Sequence, residues 1–255
     1  MAIALVVSGA CGRMGRSIAE LALKDKTFTL SAVLEAQGHE SVGQDYGTVL
    51  NLPKRLNIPV GNDANAALSR GDVLIEFTSP EVTIAHAQLA QGARKPMIIG
   101  TTGLSESQLS TLRTVAKSIP IVFSPNMSVG VNVLFELVQL AATRLGMSYD
   151  VEVIEGHHRH KKDSPSGTAK RLLEVLGGAR KQSSVTIPVH AIRAGEIVGD
   201  HTVLFAGPSE RLELTHRAQG REVFAAGALK AAAWVKTQPP GLYDMTDVLK
   251  AASAA

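Results

Sequence analysis

Cysteine is almost missing from this sequence: Cys11 is the only one in 255 residues. A lone thiol excludes an internal disulfide framework and fits a reducing compartment. Aromatic residues make up only 4% of the chain, with a single tryptophan, too few to lay out a stacking platform for single-stranded nucleic acid. Charge of one sign is also scarce. The 26 Lys+Arg against 23 Asp+Glu leave a net +3, which does not build a broad basic surface for a polyanion. No segment approaches the roughly 20 consecutive apolar residues of a membrane span. The opening run "IALVV" is short and follows no basic region, so it is not expected to be a signal peptide. A cytoplasmic protein with neither nucleic acid nor membrane as partner is the expectation.

What is present is an aliphatic, alanine-rich chain, 45% apolar, long enough for one large domain or two modest ones. In the first half, short apolar runs alternate with helical patterns. "IALVV", "LSAVL", "DVLIEF", "PMIIG" and "IPIVF" read as strands buried on both faces, which predicts a parallel sheet covered by helices. Met14, Ile18 and Leu21 share one helical face; Leu109, Leu112 and Ala116 share another, after a Ser105/Gln108 capping-box pattern. The pattern changes after "FSPNMSVGVN". A helix with Val133, Leu137, Leu140 and Arg144 on one stripe precedes the strand "YDVEVIEGHH". Then come "VTIPVHAIRAG", "EIVGDHTVLFAG" and "ERLELTHRA", where Leu212 and Leu214 alternate with Glu213 and Thr215. The expected fold class is α/β: a Rossmann-type doubly wound parallel sheet over residues 1–128, completed by a helical C-terminal 221–255. A second α+β domain with a mixed or antiparallel sheet is expected over 129–220.

The run "IALVVSGACGRMGRSIAEL" joins strand to helix through Gly9, Gly12 and Gly15. Glycines there allow a tight turn and close approach, and the helix N-terminus faces a pyrophosphate. Glu35 ends the next strand twenty residues beyond Gly15, where a ribose-binding acid belongs. Ala10, Cys11, Arg13 and Met14 lie in the same loop and join the candidate cofactor-binding set. Glu35 should repel a 2′-phosphate and Arg13 could offset that, so NADH is expected to serve at least as well as NADPH. Cys11 sits near a helix start, which favours a thiolate, although a small side chain in a crowded turn is the plainer reading. Three further strand ends converge on the same edge: "EFTSPE", "GTTG" and "SPNMSVG". Gly100, Thr101 and Thr102, with Ser124, Pro125, Asn126 and Met127, are the candidates for the nicotinamide end.

In "EGHHRHKKDSPSGTAKRLLEVL" six ionisable nitrogen side chains stand at consecutive positions, 157 to 162, ahead of a helix. His157 and Lys161 share parity and line one pocket if the strand extends that far. Pro165 is expected to start the helix, leaving the amides of Gly167 and Thr168 at its positive end with Ser166 beside them. Asp163 either orients Lys161 or caps that helix, the cap being preferred. Cations plus helix-end amides suit a small dicarboxylate. A zinc site from His157, His158 and His160 is not expected, because adjacent strand histidines diverge and no cysteine or acid completes it. A plain solvated loop is the rival reading.

With "SGACGRMGR", "EFTSPE", "IIGTTG", "NMSVGVN" and "EGHHRHKKDSPSGTA" in this order, the chain resembles the bacterial dihydrodipicolinate (4-hydroxy-tetrahydrodipicolinate) reductases of lysine and diaminopimelate synthesis over nearly its whole length. The resemblance implies NADH- or NADPH-dependent reduction of a cyclic dicarboxylate to tetrahydrodipicolinate. It further implies acid–base work at His157 and Lys161, and substrate binding by His158, Gly167 and Thr168 with help from Ser166. It also implies closure of the second domain with Ser128 to Asn132 near the hinge, and a homotetramer built through second-domain sheets. Many relatives follow the acid matching Glu35 with arginine; here the residue is Ala36, which weakens the case for NADPH. Neighbouring cations should depress the proton affinity of His157 until a dicarboxylate restores it. A dehydrogenase for another small dicarboxylate and a non-catalytic dinucleotide-binding protein are the alternatives.

Overall fold

The computed structural model describes residues 1–180 and 186–252, which fall into two compact units, Met1–Met127 with Phe224–Ala255, and Ser128–Val223. In chain order the first unit runs β1 (Ile3–Ser8), α1 (Arg13–Ala22), β2 (Phe28–Leu34), α2 (Tyr46–Val49), β3 (Val60–Gly61), α3 (Ala64–Leu68), β4 (Val73–Glu76), α4 (Pro80–Ala93), β5 (Met97–Ile99), α5 (Glu106–Val115) and β6 (Pro120–Phe123). The second unit holds α6 (Val129–Leu145), β7 (Asp150–His157), α7 (Gly167–Arg180), β8 (Val189–Arg193), β9 (Gly199–Ala206) and β10 (Arg211–Ala218). The chain then returns through α8 (Glu222–Val235), β11 (Gly241–Tyr243) and α9 (Met245–Ala252).

Seven parallel strands in the order β11-β6-β5-β4-β1-β2-β3 make the first sheet. Strand order reverses at β1, so the carboxyl ends of β1, β2 and β4 border a crevice. Val6, Leu34, Leu74, Met97, Ile99 and Ile121 pack under α3, α4 and α5. The alternate residues Leu5, Val7, Ile75, Ile98 and Val122 are also buried, and α1 contacts β1 and β2. Both faces are therefore covered, which is why these strands read as unbroken apolar runs. The expected capping box forms: Ser105 accepts from the Gln108 amide, and the Gln108 side chain accepts from the Ser105 amide. The short α2, β3 and α3 were not read from the sequence, and one stretch was read as the wrong kind of element. Residues 241–243, read as part of a helical tail, are the edge strand β11 beside β6.

The second unit has a four-stranded sheet in the order β10-β9-β7-β8. β9 runs antiparallel to β7 and β10, while β8 runs parallel to β7, so β7–α7–β8 is a crossover inside a mixed sheet. Val151, Val153, Val203 and Phe205 bury one sheet face against α6 and α7. Helix α6 turns Val131, Leu134, Phe135, Val138 and Ala142 inward, leaving the stripe Val133, Leu137 and Leu140 exposed. An apolar helix surface this wide carries two plausible stripes, and periodicity alone does not select between them. Two boundaries also differ from expectation. β7 ends at His157, and α7 begins at Gly167 rather than Pro165. Val185, read as the start of a strand, and residues 253–255 lie outside the described residues.

Gly100 follows β5, and a Cβ there would stand 2.1 Å from the Phe77 ring. Gly100→Ala is expected to cost about 1–3 kcal/mol of stability by overpacking. Urea unfolding of the variant showing an unchanged midpoint would contradict this packing.

Candidate functional site

The first unit carries a cavity of about 670 Å³ at the crevice, bordered by Gly9, Cys11, Gly12, Glu35, Phe77 and His86 among others. Its floor is set by glycines. Gly9 has φ +70°, and a Cβ on it would lie 2.5 Å from the Phe77 carbonyl; a Cβ on Gly15 would lie 2.2 Å from the Gly9 carbonyl. α1 starts at Gly12 without a side-chain cap, which leaves its first amides to a ligand or solvent. Glu35 stands just past β2, and its Oε1 accepts from the Cys11 amide at 2.7 Å. Tyr46 braces the loop from below, its buried hydroxyl donating to the Ala10 carbonyl at 2.6 Å. Burial pushes the Cys11 thiol pKa up, which favours a neutral thiol over a thiolate. This backbone cradle, open helix end and oriented acid fit a dinucleotide.

The other cofactor candidates divide. Arg13 is exposed on the first turn of α1, and Met14 is half-buried; neither borders the cavity. Gly100, Thr101 and Thr102 follow β5, but the Thr101 hydroxyl is buried and engaged with the Thr78 amide (3.1 Å) and Thr83 hydroxyl (2.8 Å). Thr102 is exposed. After β6, Ser124 closes its own turn by donating to the Asn126 carbonyl at 2.8 Å, Pro125 is exposed, and Met127 is buried with its carbonyl against Gly227. These stretches share the sheet edge but do not line the cavity. His86, on α4, was not anticipated: its Nδ1 meets the fully buried Glu76 at 2.6 Å, and it lines the cavity. Its place ten residues after Glu76, on a helix, carries no periodic signal that marks it.

In the second unit the basic stretch folds around a buried carboxylate. Glu155 is fully buried on β7. Its Oε2 accepts from His157 Nδ1 at 2.5 Å, and Arg193 donates to both oxygens, at 3.0 and 2.6 Å. The Ser166 amide adds a fourth donor at 3.3 Å. Burial raises the Glu155 pKa, but the hydrogen bonds from Arg193 and His157 more than offset it, so the carboxyl stays below its ordinary value. For His157, burial lowers the pKa first, Glu155 pulls it back in part, and Lys161 and Arg193 press it down; the net shift is downward. A Cβ on Gly199 would stand 3.4 Å from His157 Nε2, so the missing side chain keeps that nitrogen uncrowded.

Lys161 reaches the same region, though not along the strand. The chain leaves β7 in a turn, with the Lys161 amide donating to the His158 carbonyl at 3.1 Å, and Lys161 Nζ pairs with Asp163 at 2.8 Å. Asp163 therefore orients Lys161 and does not cap the helix. Ser166 is the cap: its hydroxyl accepts from the Ala169 amide at 3.1 Å and meets His201 Nε2 at 3.1 Å. Only a residue directly before the first turn can do this, and Asp163 is three positions too early. Gly167 and Thr168 form that first turn, His158 is half-buried beyond the strand end, and His160 is exposed. The potential metal donors that do gather here are Glu155, His157 and His201, within 4.8 Å of one another. The Arg193 guanidinium already supplies the cation on that carboxylate.

Glu155, Arg193 and His201 were missed from sequence. Glu155 has the same parity as His157, and alternation along a strand was the signal that marked it. Arg193 and His201 arrive through pairing with β8 and β9, which no local pattern announces.

Comparison with known proteins gives concordant matches. The family model described as "Dihydrodipicolinate reductase, N-terminus" matches residues 3–127, and that described as "Dihydrodipicolinate reductase, C-terminus" matches residues 130–249. The 4-hydroxy-tetrahydrodipicolinate reductase of Alkalilimnicola ehrlichii is 46% identical over 98% of this chain and 99% of its own. That of Syntrophus aciditrophicus is 43% identical over 96% and 97%. Among solved structures, the dipicolinate-bound dihydrodipicolinate reductase from Paenisporosarcina sp. TG-14 superposes with a TM-score of 0.79 at 24% identity, covering 96% of this chain and 98% of that one. Among the described residues, no helix is long and apolar enough to cross a membrane.

His201 is buried and its pKa is lowered from 6.5 to about 3, first by burial and then by His157. The unfolded chain binds that proton once pH falls below 6.5, whereas the folded state refuses it down to about 3, so acidification favours unfolding across that interval. His201→Gln, which keeps polar contacts without titrating, should lessen the stability lost between about pH 7 and about pH 4 by about 1–3 kcal/mol. An equal loss in both proteins, by urea titration at the two pH values, would contradict this.

Proposed function

The chain belongs to the dihydrodipicolinate reductase family, and on that footing we propose that it reduces 4-hydroxy-tetrahydrodipicolinate to tetrahydrodipicolinate with a reduced pyridine nucleotide, in lysine and diaminopimelate synthesis. The observation that carries this reading is the juxtaposition, within one unit, of the Glu155–His157 pair, Lys161 and the amino end of α7. When bound, the nicotinamide supplies a hydride. Every other requirement falls to the protein's own backbone amides and side chains. Gly167, Thr168 and His158 hold the two carboxylates of the ring, using the positive end of the helix. Ser166 acts behind them by holding the first turn. His157 Nε2 and Lys161 Nζ move the proton that neutralises charge developing on the ring. Burial first, and then Lys161 and Arg193, depress the proton affinity of His157; a dianionic substrate beside it opposes that shift, so the acid is charged where it is needed.

Gly9, Cys11, Gly12 and Glu35 hold the pyrophosphate and adenosine ribose in this reading, with Ala10 beneath the loop and Arg13 and Met14 on the first turn of α1. Gly100 to Thr102 and Ser124 to Met127 serve the nicotinamide end. NADH serves at least as well as NADPH, because Glu35 faces the cavity and Ala36 brings no cation for a 2′-phosphate. The protein works in the cytoplasm, where its single thiol stays reduced. It assembles as a homotetramer through the face of the four-stranded sheet opposite α6 and α7, where Ile192 is exposed and Thr202 meets Thr215 at 3.0 Å.

Oxidation of NADH on adding freshly made substrate is the direct test, followed by absorbance. His157→Gln should lower kcat by roughly 10²-fold, and Lys161→Ala should lower kcat and raise KM together. Unchanged turnover in both removes the assigned roles, and a large NADPH preference in steady-state kinetics overturns the cofactor reading. Light scattering should give a mass near four times the 26.9 kDa chain; a monomer overturns the tetramer.

A further inference from the structure

His157 is surrounded from every side of its unit. Glu155 stands on its own strand, Arg193 on β8, and Gly199 and His201 on β9. Lys161 with Asp163 approaches from the loop, and Ser166 sits at the start of α7. Of these, only Glu155 bonds to the imidazole, at Nδ1. An ionised carboxylate accepts and does not donate, so Nδ1 keeps its hydrogen whether the ring is neutral or charged. Nε2 is then the one nitrogen that gains or loses a proton.

We infer that Glu155 is a positioning residue for the reduction, fixing His157 as the Nδ1–H tautomer and setting how tightly Nε2 holds its proton, while Arg193 tunes that hold by sharing the same carboxylate. This rests on the reading of His157 as proton donor. Three features carry it. Residues two apart on a strand share a face, so β7 itself places Glu155 against His157. Glu155 is fully buried, which keeps solvent from screening its charge. Arg193 takes both carboxylate oxygens, so the negative charge seen by His157 is divided. The remaining neighbours do not substitute for Glu155. Lys161 and Arg193 oppose protonation of His157, Asp163 is engaged with Lys161, and His201 meets His157 edge-on at 5.2 Å between ring centres.

A purely structural role for Glu155, as partner of Arg193, predicts lost stability and nothing else. The two roles separate in the histidine titrations of the intact protein, followed by long-range 1H–15N NMR, and in the pH profile of kcat. Glu155→Gln keeps an acceptor at Nδ1 but removes the charge. It should lower the His157 pKa by about one unit or more, moving the alkaline limb of kcat to lower pH by the same amount. Arg193→Gln leaves the carboxylate to His157 alone and should shift the titration the opposite way, upward. That second variant keeps the inference testable if Glu155→Gln does not fold. A His157 titration unmoved in these variants, or moved in the same direction by both, overturns it. The NMR reading needs no turnover. If the unaltered protein fails to oxidise NADH with substrate, the functional assignment falls, and opposed shifts would still establish the control of His157 by Glu155.

Discussion

A carboxylate shut away from water governs the second unit. An ion such as Glu155 is tolerated in an interior only when donors satisfy both of its oxygens. Arg193, His157 and the Ser166 amide meet that condition, and each comes from a different segment. Much of the local architecture follows. β8 has to lie beside β7 in parallel register, so that Arg193 pairs with His157, and α7 has to start where the Ser166 amide reaches the carboxylate. The basic run that crowds residues 157 to 162 then separates into two kinds of side chain. His157 is fixed inside and Lys161 is held by Asp163, whereas Arg159, His160 and Lys162 are exposed.

The first unit is shaped by backbone proximity rather than by charge. Gly9, Gly15 and Gly100 sit where any Cβ would collide with a carbonyl, a neighbouring Cα or the Phe77 ring. The missing side chains let the turns that follow β1, β4 and β5 pack closely, and the ends of β1 and β4 border the crevice together with that of β2. Glu35 is already oriented there by two backbone amides, that of Cys11 on one carboxylate oxygen and that of Ala36 on the other. The acid and the glycine loop are thus one assembly, linked by a hydrogen bond.

Where burial is symmetric, the sequence was easy to read. β1, β4, β5 and β6 are apolar apart from Ser8 and Glu76 at the carboxyl ends of β1 and β4, because helices cover both faces, and the Ser105/Gln108 cap is a local device that needs no knowledge of the fold. Glu35 was legible from its distance to the glycines. β3 and β11 were not, because two or three residues at a sheet edge carry no period. The expectation that Asp163 caps α7 failed on a helix boundary, because α7 begins at Gly167 and puts Ser166 directly before its first turn. Arg193 and His201 stayed hidden for a different reason: their role exists only after β8 and β9 have paired with β7. Glu155 shares its strand parity with His157, but a buried carboxylate there makes sense only with Arg193, which arrives once β8 has paired with β7.

Arg193 is 38 residues from Glu155, and His201 is 35 residues from Ser166. No short fragment of the chain contains the centre, and a strand pair alone leaves an ionised group without its counter-ion. Such long-range closures form late and together, because each loses chain entropy before it gains a contact. Assembly of this cluster is consequently all-or-none in folding: nascent chains that have not yet made β9 hold His157 and Lys161 but not the set of partners that surrounds them in the folded unit.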